Sequence, residues 1–375
     1  MSAKVNNQLK DFQIATVDYV FNRFISETSL CNRFLVADEV GLGKTLVARG
    51  IIQKFYDHYQ EIGKQSLNVI YICSNQSIAS QNISRLNIEK KKGISQATIN
   101  RINDLAITNI ENTGDSFLRI TALSPNTSFN ISSGGGVVKE RAILYHILTR
   151  HFAFSQYKDK LKKLLRLDVS QDNWDNWVSK DCWILEHLRS DIIEKFNQAL
   201  NSGNDCYVEL EEYCSERYSS NAQPSHRRTI GKLRKLLASV CVEYLKPDLI
   251  ILDEFQRFKY LIDEDEDNDV RLITESLFTN NTIKILLLSA TPYKMYTMQS
   301  EERDGENHFE EFKFIVEFLL NDKIKQTEFE SVWYDYSKSL LHLNERNWDF
   351  IKSKKEKVEG FLQSIIARTE RITVF

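Results

Sequence analysis

The sequence predicts an α/β fold in which helices flank a mostly parallel β-sheet. Five short runs rich in apolar residues recur along the 375-residue chain, at positions 33–37, 69–73, 118–122, 249–252 and 283–288. Near-continuous apolar runs of this length are typical of strands that are buried on both faces. Segments with helical periodicity lie between them, as the crossover connections of a parallel sheet require.

The composition agrees with a globular protein and excludes several other classes. The chain has 42% apolar and 27% charged residues, four prolines and a formal net charge of −3, which exclude collagenous and disordered chains. The six cysteines form no C-x-x-C pair, which argues against a zinc site and a disulfide framework. No apolar targeting segment opens the chain, and no run approaches the roughly 18 apolar residues of a membrane span. We therefore expect a cytoplasmic protein without a membrane partner.

The first apolar run leads into a glycine-rich loop, Ala37-Asp-Glu-Val-Gly-Leu-Gly-Lys-Thr45, and then into a helical stretch. Such a loop places backbone N–H groups at a helix N terminus, where the helix dipole also favours a nucleotide phosphate. Lys44 would reach the β- and γ-phosphates of ATP, and the Thr45 hydroxyl would ligate Mg²⁺. The candidate nucleotide-binding residues of the loop are Gly41, Leu42, Gly43, Lys44, Thr45 and Leu46. Asp38 stands where the general form of this motif has a glycine.

The apolar pattern becomes helical between residues 139 and 246. Apolar residues recur at helical spacing near both ends of this segment, at Ala142, Leu144, Ile147 and Leu148 and at Ile230, Leu233, Leu237, Val240, Cys241 and Tyr244. We therefore expect a helical insertion at 139–246, which divides a nucleotide-binding domain into residues 1–138 and 247–297. The stretch at 132–136 contains three glycines and is a candidate hinge before the insertion.

The fourth apolar run ends in two adjacent carboxylates, in the sequence KPDLIILDEFQ at 246–256. Open α/β sheets bind ligands at the carboxyl ends of their strands. Asp253 would hold Mg²⁺ there, and Glu254 would orient and deprotonate an attacking water. The pair alone is also compatible with a surface turn, but the phosphate loop favours a hydrolytic site.

The last part of the chain is expected to be a loop and a helical tail. Residues 298–308 are almost all polar, which predicts a mobile loop. Helical patterns follow at 312–320, 329–343 and 358–368, so residues 298–375 contain no further set of phosphate-type strands.

These motifs, together with Leu288-Ser-Ala-Thr-Pro292, resemble motifs I, II and III of superfamily 2 helicases, in the same order. The resemblance is closest to Swi/Snf-type DNA translocases and their bacterial relatives. Residues 9–13 resemble the segment that contacts adenine through a Gln, and residues 72–77 resemble motif Ia, which contacts the nucleic-acid backbone. The resemblance covers residues 9–90 and 245–295 and implies the first RecA-like lobe of such an ATPase. ATP and Mg²⁺ are then the expected cofactors and nucleic acid the expected partner, with DNA favoured over RNA and a nucleoid location if the protein is bacterial.

The resemblance also implies roles for single residues. Gln13 would contact adenine, while Lys44 and Thr45 would bind phosphate and Mg²⁺. Asp253 and Glu254 would be the hydrolytic pair. The residues that would couple the γ-phosphate to the nucleic-acid face are Gln256, Ser289, Ala290 and Thr291.

Several of these residues also have a simpler interpretation. Gln13 is compatible with a solvated helix position, and the hydroxyls of motif III are compatible with a strand cap. Motif II ends in Phe-Gln rather than the commoner Ala-His or Ala-Asp. The role of Gln256 in coupling is therefore less certain than the role of Asp253 as a metal ligand. Residues 124–128 are a further candidate backbone-contacting loop or an ordinary turn.

The resemblance also predicts a missing part. In this superfamily ATP lies between two RecA-like lobes, and the second lobe supplies arginine fingers for catalysis. About 80 residues follow motif III, which is too few for that lobe. Residues 367–375 resemble the segment that crosses into the second lobe. Arg368 and Arg371 in this segment are candidate arginine fingers, but we favour a solvated helix end for both. The second lobe would come from a longer chain or a partner subunit, and the isolated lobe would be a weak or inactive ATPase.

Two features of the insertion allow opposite interpretations. Two basic clusters are either a binding track for nucleic-acid phosphates or solvated helix faces. The first consists of Lys158, Lys160, Lys162, Lys163 and Arg166, and the second of Arg227, Arg228, Lys232, Arg234 and Lys235. The spacing of Trp174, Trp177 and Trp183 predicts one helix face, on which core packing is favoured over base stacking.

Two functions therefore remain open. The first is the ATP-binding motor lobe of a DNA helicase or translocase. The alternative is a P-loop switch or assembly ATPase without motor activity, which needs neither motif III nor the Gln13 segment. A degenerate scaffold without ATPase activity is disfavoured, because both residues of motif II and the Gly-Lys-Thr of motif I are intact.

Overall fold

The computed structural model contains a seven-stranded sheet flanked by helices, which confirms the predicted α/β fold. It describes residues 9–26, 31–86, 88, 95–108, 116–129, 134–179, 182–201, 203–215, 226–261, 269–289, 308–341 and 348–369. The strands are β1 Arg33–Val36, β2 Leu67–Ile72, β3 Ser95–Ile99, β4 Leu118–Leu123, β5 Leu249–Asp253, β6 Lys284–Leu288 and β7 Ile366–Ala367. Their order in the sheet is β3-β4-β2-β5-β6-β1-β7, and every pairing is parallel.

The five predicted strands coincide with β1, β2, β4, β5 and β6. Each of them is almost entirely buried, as expected for strands that helices cover on both faces. No sequence pattern predicts β3, an edge strand that reads Ser-Gln-Ala-Thr-Ile, or the two-residue β7. Strands pair through backbone N–H and C=O groups, so these two edge strands form without a long apolar run.

The described part of the first half of the sheet domain contains four helices: α1 Asp11–Ile25, α2 Lys44–Glu61, α3 Gln76–Leu86 and the short α4 Pro125–Ser128. Helices α1 and α2 pack tightly against each other. A Cβ at Gly50 of α2 would lie 2.6 Å from a methyl of Val17 in α1, so the absence of a side chain at Gly50 permits this close approach. A 3₁₀ turn at Ile102–Ala106 follows β3.

The chain between β4 and β5 forms seven further helices within its described part. They are α5 Val138–Leu148, α6 Lys158–Arg166, α7 Gln171–Val178, α8 Trp183–His187, α9 Ser190–Ala199, α10 Asp205–Ser215 and α11 His226–Val242. The apolar residues that predicted α5 and α11 are buried in both helices, and Tyr244 packs against the same core just after α11. A large helical insertion is therefore present.

A buried ion pair connects the base of this insertion to the sheet domain. Glu140 of α5 accepts hydrogen bonds from Arg234 of α11 and from Asn103 of the 3₁₀ turn, at 3.0 and 3.1 Å. Both charged side chains are at most 1% exposed. Removal of either side chain would break a buried, charge-assisted hydrogen bond, which is strongly destabilising.

The three tryptophans do not share one helix face, so that prediction was wrong. Helix α7 ends at Val178, and Trp183 begins α8. Trp174 is fully buried and meets Tyr145 edge to face, whereas Trp183 is 44% exposed. Core packing is therefore confirmed for Trp174. The periodicity of three and six residues was misleading because it continues across the end of a helix.

The remaining elements are helical and return the chain to the sheet. Helix α12 Asp269–Phe278 precedes β6, after a 3₁₀ turn at Phe255–Leu261, and α13 His308–Leu320, α14 Lys323–Leu340 and α15 Trp348–Ile365 form the predicted tail. Most of the predicted loop at 298–308 lies outside the described residues. The third tail helix ends at Ile365 rather than 368, because the next two residues pair with β1. Among the described helices, none has the length and hydropathy to cross a bilayer.

Candidate nucleotide-binding site

The three motif-bearing strands β5, β6 and β1 are immediate neighbours in the sheet. Asp253 pairs in register with Leu288, and Leu288 pairs with Val36. The carboxyl ends of parallel strands lie at one edge of the sheet. The loop at 37–45, the acidic pair and Ser289 therefore all start from the same edge.

The glycine loop has the backbone geometry of a phosphate cradle. Gly41 and Gly43 have φ angles of 82° and 84°, in the left-handed region that favours glycine. Gly43 caps α2, and its carbonyl accepts the N–H groups of Leu46 and Val47 at 2.7 and 3.1 Å. The N–H groups of Lys44 and Thr45, at the start of the helix, have no carbonyl one turn earlier in the helix to which they could donate. They are thus the donors that a phosphate would use, beside the positive end of the helix dipole.

Lys44 lies within this loop and close to the acidic pair. Its ammonium donates to the carbonyl oxygens of Asp38 and Glu39, at 3.0 and 3.2 Å. Burial lowers the pKa of Lys44, and the negative charges of Asp38, Asp253 and Glu254 act against that shift. The structure therefore brings the cation of motif I and the carboxylates of motif II into one electrostatic environment.

Gln13 is not a solvated helix residue, because its side chain is 4% exposed. Its Nε2 donates to the Leu42 carbonyl at 2.7 Å, and its Oε1 accepts the N–H of Lys10 at 2.9 Å. A Cβ at Gly43 would lie 2.6 Å from the same Nε2. Gln13 thus fixes the glycine loop against α1, while its contact with adenine stays a prediction.

Asp253 belongs to a hydrogen-bonded chain that the sequence analysis missed. Its Oδ2 accepts the Tyr71 hydroxyl at 2.5 Å, and Asn82 donates to the oxygen of that hydroxyl at 2.8 Å. Burial raises the pKa of Asp253, and the Tyr71 bond lowers it. Burial and the Asp253 charge both raise the pKa of Tyr71, so its hydroxyl stays protonated. The sequence feature that could have indicated this contact is a tyrosine in a largely apolar, buried strand.

Glu254 has an unusual backbone conformation at the position predicted for the general base. Its φ of 53° lies in the left-handed region, which costs a non-glycine residue about 1–2 kcal/mol. Its carboxylate is partly exposed and forms an ion pair with Arg257 at 3.1 Å. Strain of this kind is concentrated at functional sites.

The two candidate coupling segments are only partly described. The carboxamide of Gln256 has a buried Oε1, to which no donor in the described part of the chain bonds. Ser289 is fully buried, and its N–H donates to the Val36 carbonyl at 3.0 Å, which ties motif III to the strand before the glycine loop. Ala290 and Thr291 lie outside the described residues. Coupling by these side chains stays a prediction.

Asp38 has a structural partner that the sequence did not indicate. The residue is fully buried, and its Oδ1 accepts the N–H of Thr369 at 2.8 Å. The N–H of Ala37 donates to the carbonyl of Ala367 at 2.8 Å. Burial raises the pKa of Asp38, whereas the bonds from Thr369 and the charge of Lys44 lower it. The segment after α15 therefore runs along the start of the glycine loop.

That segment contains Arg368, one of the two finger candidates. It follows the short strand β7 and is not at a helix end, because α15 ends at Ile365. Arg371 lies outside the described residues.

The turn at residues 124–128 is held by its own hydroxyls. It forms α4, in which Ser128 Oγ accepts the N–H of Ser124 at 3.0 Å and donates to the Ile99 carbonyl at 2.7 Å. These contacts favour an ordinary structural turn between β4 and the insertion.

Many cations of the two basic clusters have partners within the insertion. In the first cluster Lys162 pairs with Asp175 at 2.7 Å. In the second cluster Lys232 pairs with Glu209 at 2.5 Å, and Arg234 is the buried partner of Glu140. Arg234 therefore belongs to the core and not to a nucleic-acid surface, and the periodicity of α11 explains why, since positions 230, 233, 234 and 237 are all buried.

The residues present fit a phosphate-bound Mg²⁺ better than a protein-caged metal. Among the described residues, no group of three or more His, Cys, Asp or Glu is arranged to hold an ion. Mg²⁺ in phosphate sites is held by one or two protein groups together with phosphate oxygens and waters. Thr45 and Asp253 would supply such a pair. No family model matches this chain, and neither does any curated protein.

Proposed function

We propose that this chain is the ATP-binding lobe of a DNA translocase of superfamily 2, which couples ATP hydrolysis to movement on nucleic acid. One observation carries most of the weight of the proposal. Adjacent strands β1, β6 and β5 bring the glycine loop, Ser289 and the acidic pair to one edge of the sheet, with Lys44 close to Asp253 and Glu254. If the glycine-rich loop were an ordinary turn, there would be no reason for Ser289 and the acidic pair to lie at the same edge of the sheet.

Each residue at this edge has a chemical role in the proposal. The first turn of α2 and Lys44 bind the phosphates, while Thr45 and Asp253 hold Mg²⁺, which neutralises charge on the β- and γ-phosphate oxygens. Glu254 accepts a proton from the attacking water at its carboxylate. Gln13 orients the loop and contacts the adenine, and Gln256 with motif III couples the phosphate end of the site to bound nucleic acid.

The proposal includes two partners. DNA would contact the backbone-binding segment at 72–77, whose last two residues begin α3. A second RecA-like lobe, in the same polypeptide or in another subunit, would supply the arginine fingers, so the 375 residues alone would hydrolyse ATP slowly.

Nucleotide binding by the Lys44→Ala variant tests the site directly. A fluorescent ATP analogue with Mg²⁺ should bind the variant about tenfold more weakly or worse, because the loss of one phosphate contact costs at least about 1.4 kcal/mol. Lys195→Ala is the matched control, since that lysine pairs with Glu243 on the surface of the insertion. Equal affinity of Lys44→Ala and the unmodified chain would reject the site.

A second experiment separates the motor from the switch. With a second lobe present, duplex DNA should stimulate ATP hydrolysis, and Glu254→Gln should abolish that hydrolysis while nucleotide still binds. ATP-dependent oligomerisation with no response to DNA would instead support a P-loop switch or assembly ATPase. Fast hydrolysis by the chain alone would contradict the need for a second lobe.

A further inference from the structure

We propose that Tyr71 and Asn82 are positioning residues, which orient the Asp253 carboxylate for Mg²⁺ and link it to helix α3. This inference rests on the proposed nucleotide site, in which Asp253 is the carboxylate ligand. Neither Tyr71 nor Asn82 would touch the nucleotide or the metal. Both act through the hydrogen bonds that end on Asp253 Oδ2.

The register of two neighbouring strands places the phenol beside the carboxylate. In the parallel pairing of β2 with β5, Tyr71 pairs with Ile251. Side chains alternate between the two faces of a sheet, so Ile251 and Asp253 lie on the same face as Tyr71. Asp253 is thus one same-face position further along the neighbouring strand, within reach of a tyrosine side chain. A shorter side chain at position 71 would not span this diagonal.

The direction of the two hydrogen bonds is fixed by chemistry. The Asn82 side-chain nitrogen is only a donor, so the Tyr71 oxygen must accept that bond. The single proton of the Tyr71 hydroxyl is then directed to Asp253. The bond satisfies one oxygen of an ionised carboxylate and restricts its rotation. A carboxylate that is held in one orientation coordinates a metal without first losing rotational freedom.

Burial makes the arrangement rigid. Tyr71 is fully buried and Asn82 is 8% exposed, so water does not readily replace either partner. A buried hydroxyl without a partner costs about 1–3 kcal/mol, which opposes any movement that separates these groups. Asn82 is part of α3, and α3 packs on β2 and β4. A displacement of α3 is therefore transmitted to Asp253 through two direct hydrogen bonds.

The test measures how nucleotide binding by the full 375-residue chain depends on Mg²⁺. Tyr71→Phe removes only the hydroxyl and keeps the ring in the core. We expect the Mg²⁺ concentration for half-maximal binding of a fluorescent ATP analogue to rise about tenfold, as for other residues that orient a metal ligand. In excess EDTA the affinity of the variant for the same analogue should be unchanged, because the phosphate loop is intact. Tyr145→Phe in α5 is the matched control and should alter neither quantity.

A second variant tests whether Asn82 acts on Asp253 through the Tyr71 hydroxyl. Asn82→Leu removes the donor at nearly constant volume and should raise the same Mg²⁺ requirement to a smaller extent. Combined with Tyr71→Phe it should add nothing, because Asn82 acts only through the hydroxyl. Additive effects, or a Tyr71→Phe variant with an unchanged Mg²⁺ requirement, would overturn the inference.

These outcomes differ from a failure of the proposed function. If the unmodified chain binds nucleotide no better with Mg²⁺ than without it, and Lys44→Ala has no effect, the nucleotide site itself is wrong. If binding depends on Mg²⁺ and on Lys44 but not on Tyr71, only the positioning role is wrong. Thermal unfolding of each variant checks that a change in binding does not arise from loss of the fold.

Discussion

Gly43 and Glu254 both have a left-handed backbone conformation, but its energetic cost differs between them. Gly43 adopts a φ of 84° without a steric penalty, and its missing side chain leaves space for the Gln13 carboxamide. Glu254 adopts a φ of 53° with a full side chain and is therefore strained. Position 43 requires glycine, whereas position 254 has a carboxylate side chain although its left-handed backbone conformation favours glycine.

Gly43→Ala should impair the loop more than an equivalent change elsewhere. The added Cβ would lie 2.6 Å from Gln13 Nε2, so either the loop or α1 must move. We expect about tenfold weaker nucleotide binding, equivalent to about 1.4 kcal/mol. Gly63→Ala is the control, because Gly63 also has a positive φ but nothing lies within 4 Å of its Cβ. That variant should lose about 1 kcal/mol of stability through strain alone and bind nucleotide normally. Equal nucleotide affinities of the two variants would contradict the packing argument.

Glycine at position 254 should increase stability but abolish hydrolysis, whereas Gly43 favours both the stability of the loop and nucleotide binding. Glu254→Gly relieves the left-handed strain, whereas Glu254→Ala retains it, and both remove the carboxylate. The glycine variant should therefore be about 1 kcal/mol more stable than the alanine variant in urea denaturation. Both should lose hydrolysis when the second lobe and DNA are present. If the two variants unfold at the same urea concentration, Glu254 is not strained.

The residue types at the strand ends were predictable, but several of their contacts were not. Lys44, Asp253 and Glu254 follow apolar runs, and that pattern was sufficient to place them at one edge of the sheet. The Tyr71–Asp253 hydrogen bond joins positions 182 residues apart, and no local pattern reports such a contact. In the sequence Asp38 stands out only as a departure from a motif, because its partner Thr369 lies 331 residues away.

At the scale of elements, the insertion contains a buried imidazole with both nitrogens engaged. His151 is fully buried, its Nδ1 accepts the N–H of Ala153, and its Nε2 lies 3.2 Å from the Leu200 carbonyl. A carbonyl can only accept, so Nε2 carries the proton and the ring is neutral. Burial lowers the pKa of His151 and also that of His146.

These lowered pKa values predict an acid-sensitive insertion. As the pH falls through the ordinary histidine pKa of 6.5, His151 and His146 become protonated in the unfolded chain at a higher pH than in the folded chain. The free energy of unfolding should therefore be highest above that pH and fall as the pH falls toward the lowered pKa of the folded state. Urea denaturation between about pH 5 and 8, followed by tryptophan fluorescence, measures this slope.

A pair of variants isolates the histidine contribution. His151→Gln should reduce the difference in stability between pH 7.5 and 5.5, because position 151 no longer titrates. Gln198→Ala changes an exposed, uncharged residue of α9 and should leave that difference unaltered. A slope that survives His151→Gln undiminished would assign the acid sensitivity to other groups.

Element prediction succeeded where burial dictates composition. The central strands are apolar because helices cover both faces, and α5 and α11 carry apolar stripes because they face a common core. β3 has no apolar run, since it reads Ser-Gln-Ala-Thr-Ile, and β7 has only two residues, so neither carries a recognisable pattern. The break between α7 and α8 was missed because tryptophans on two helices happened to match one helical period.

At the scale of the whole molecule, the glycine loop is held from two sides by distant parts of the chain. Gln13 of α1 bonds to the Leu42 carbonyl, and Thr369 after β7 bonds to Asp38. Helices α1 and α15 are themselves connected, since Tyr19 and Arg23 donate to the carbonyls of residues 363 and 364 at 2.8 and 3.1 Å. Movement of the loop is therefore coupled to the segment that follows α15.

Hydrogen exchange at residues 366–369 should report the state of the loop. In the unmodified chain, ATP with Mg²⁺ should slow exchange in this segment, because a loop that is ordered by phosphate holds Asp38 against the Thr369 N–H more tightly. In Asp38→Ala the Thr369 amide loses its acceptor, and a hydrogen bond to a charged group is worth about 1.5–3 kcal/mol. Its exchange should then be at least about tenfold faster and should no longer respond to nucleotide. Asp335→Ala, which breaks an exposed ion pair between α14 and α15, is the control and should leave residues 366–369 unchanged. If Asp38→Ala and the unmodified chain exchange alike, with and without nucleotide, Thr369 is held by the sheet alone and the loop does not communicate with it.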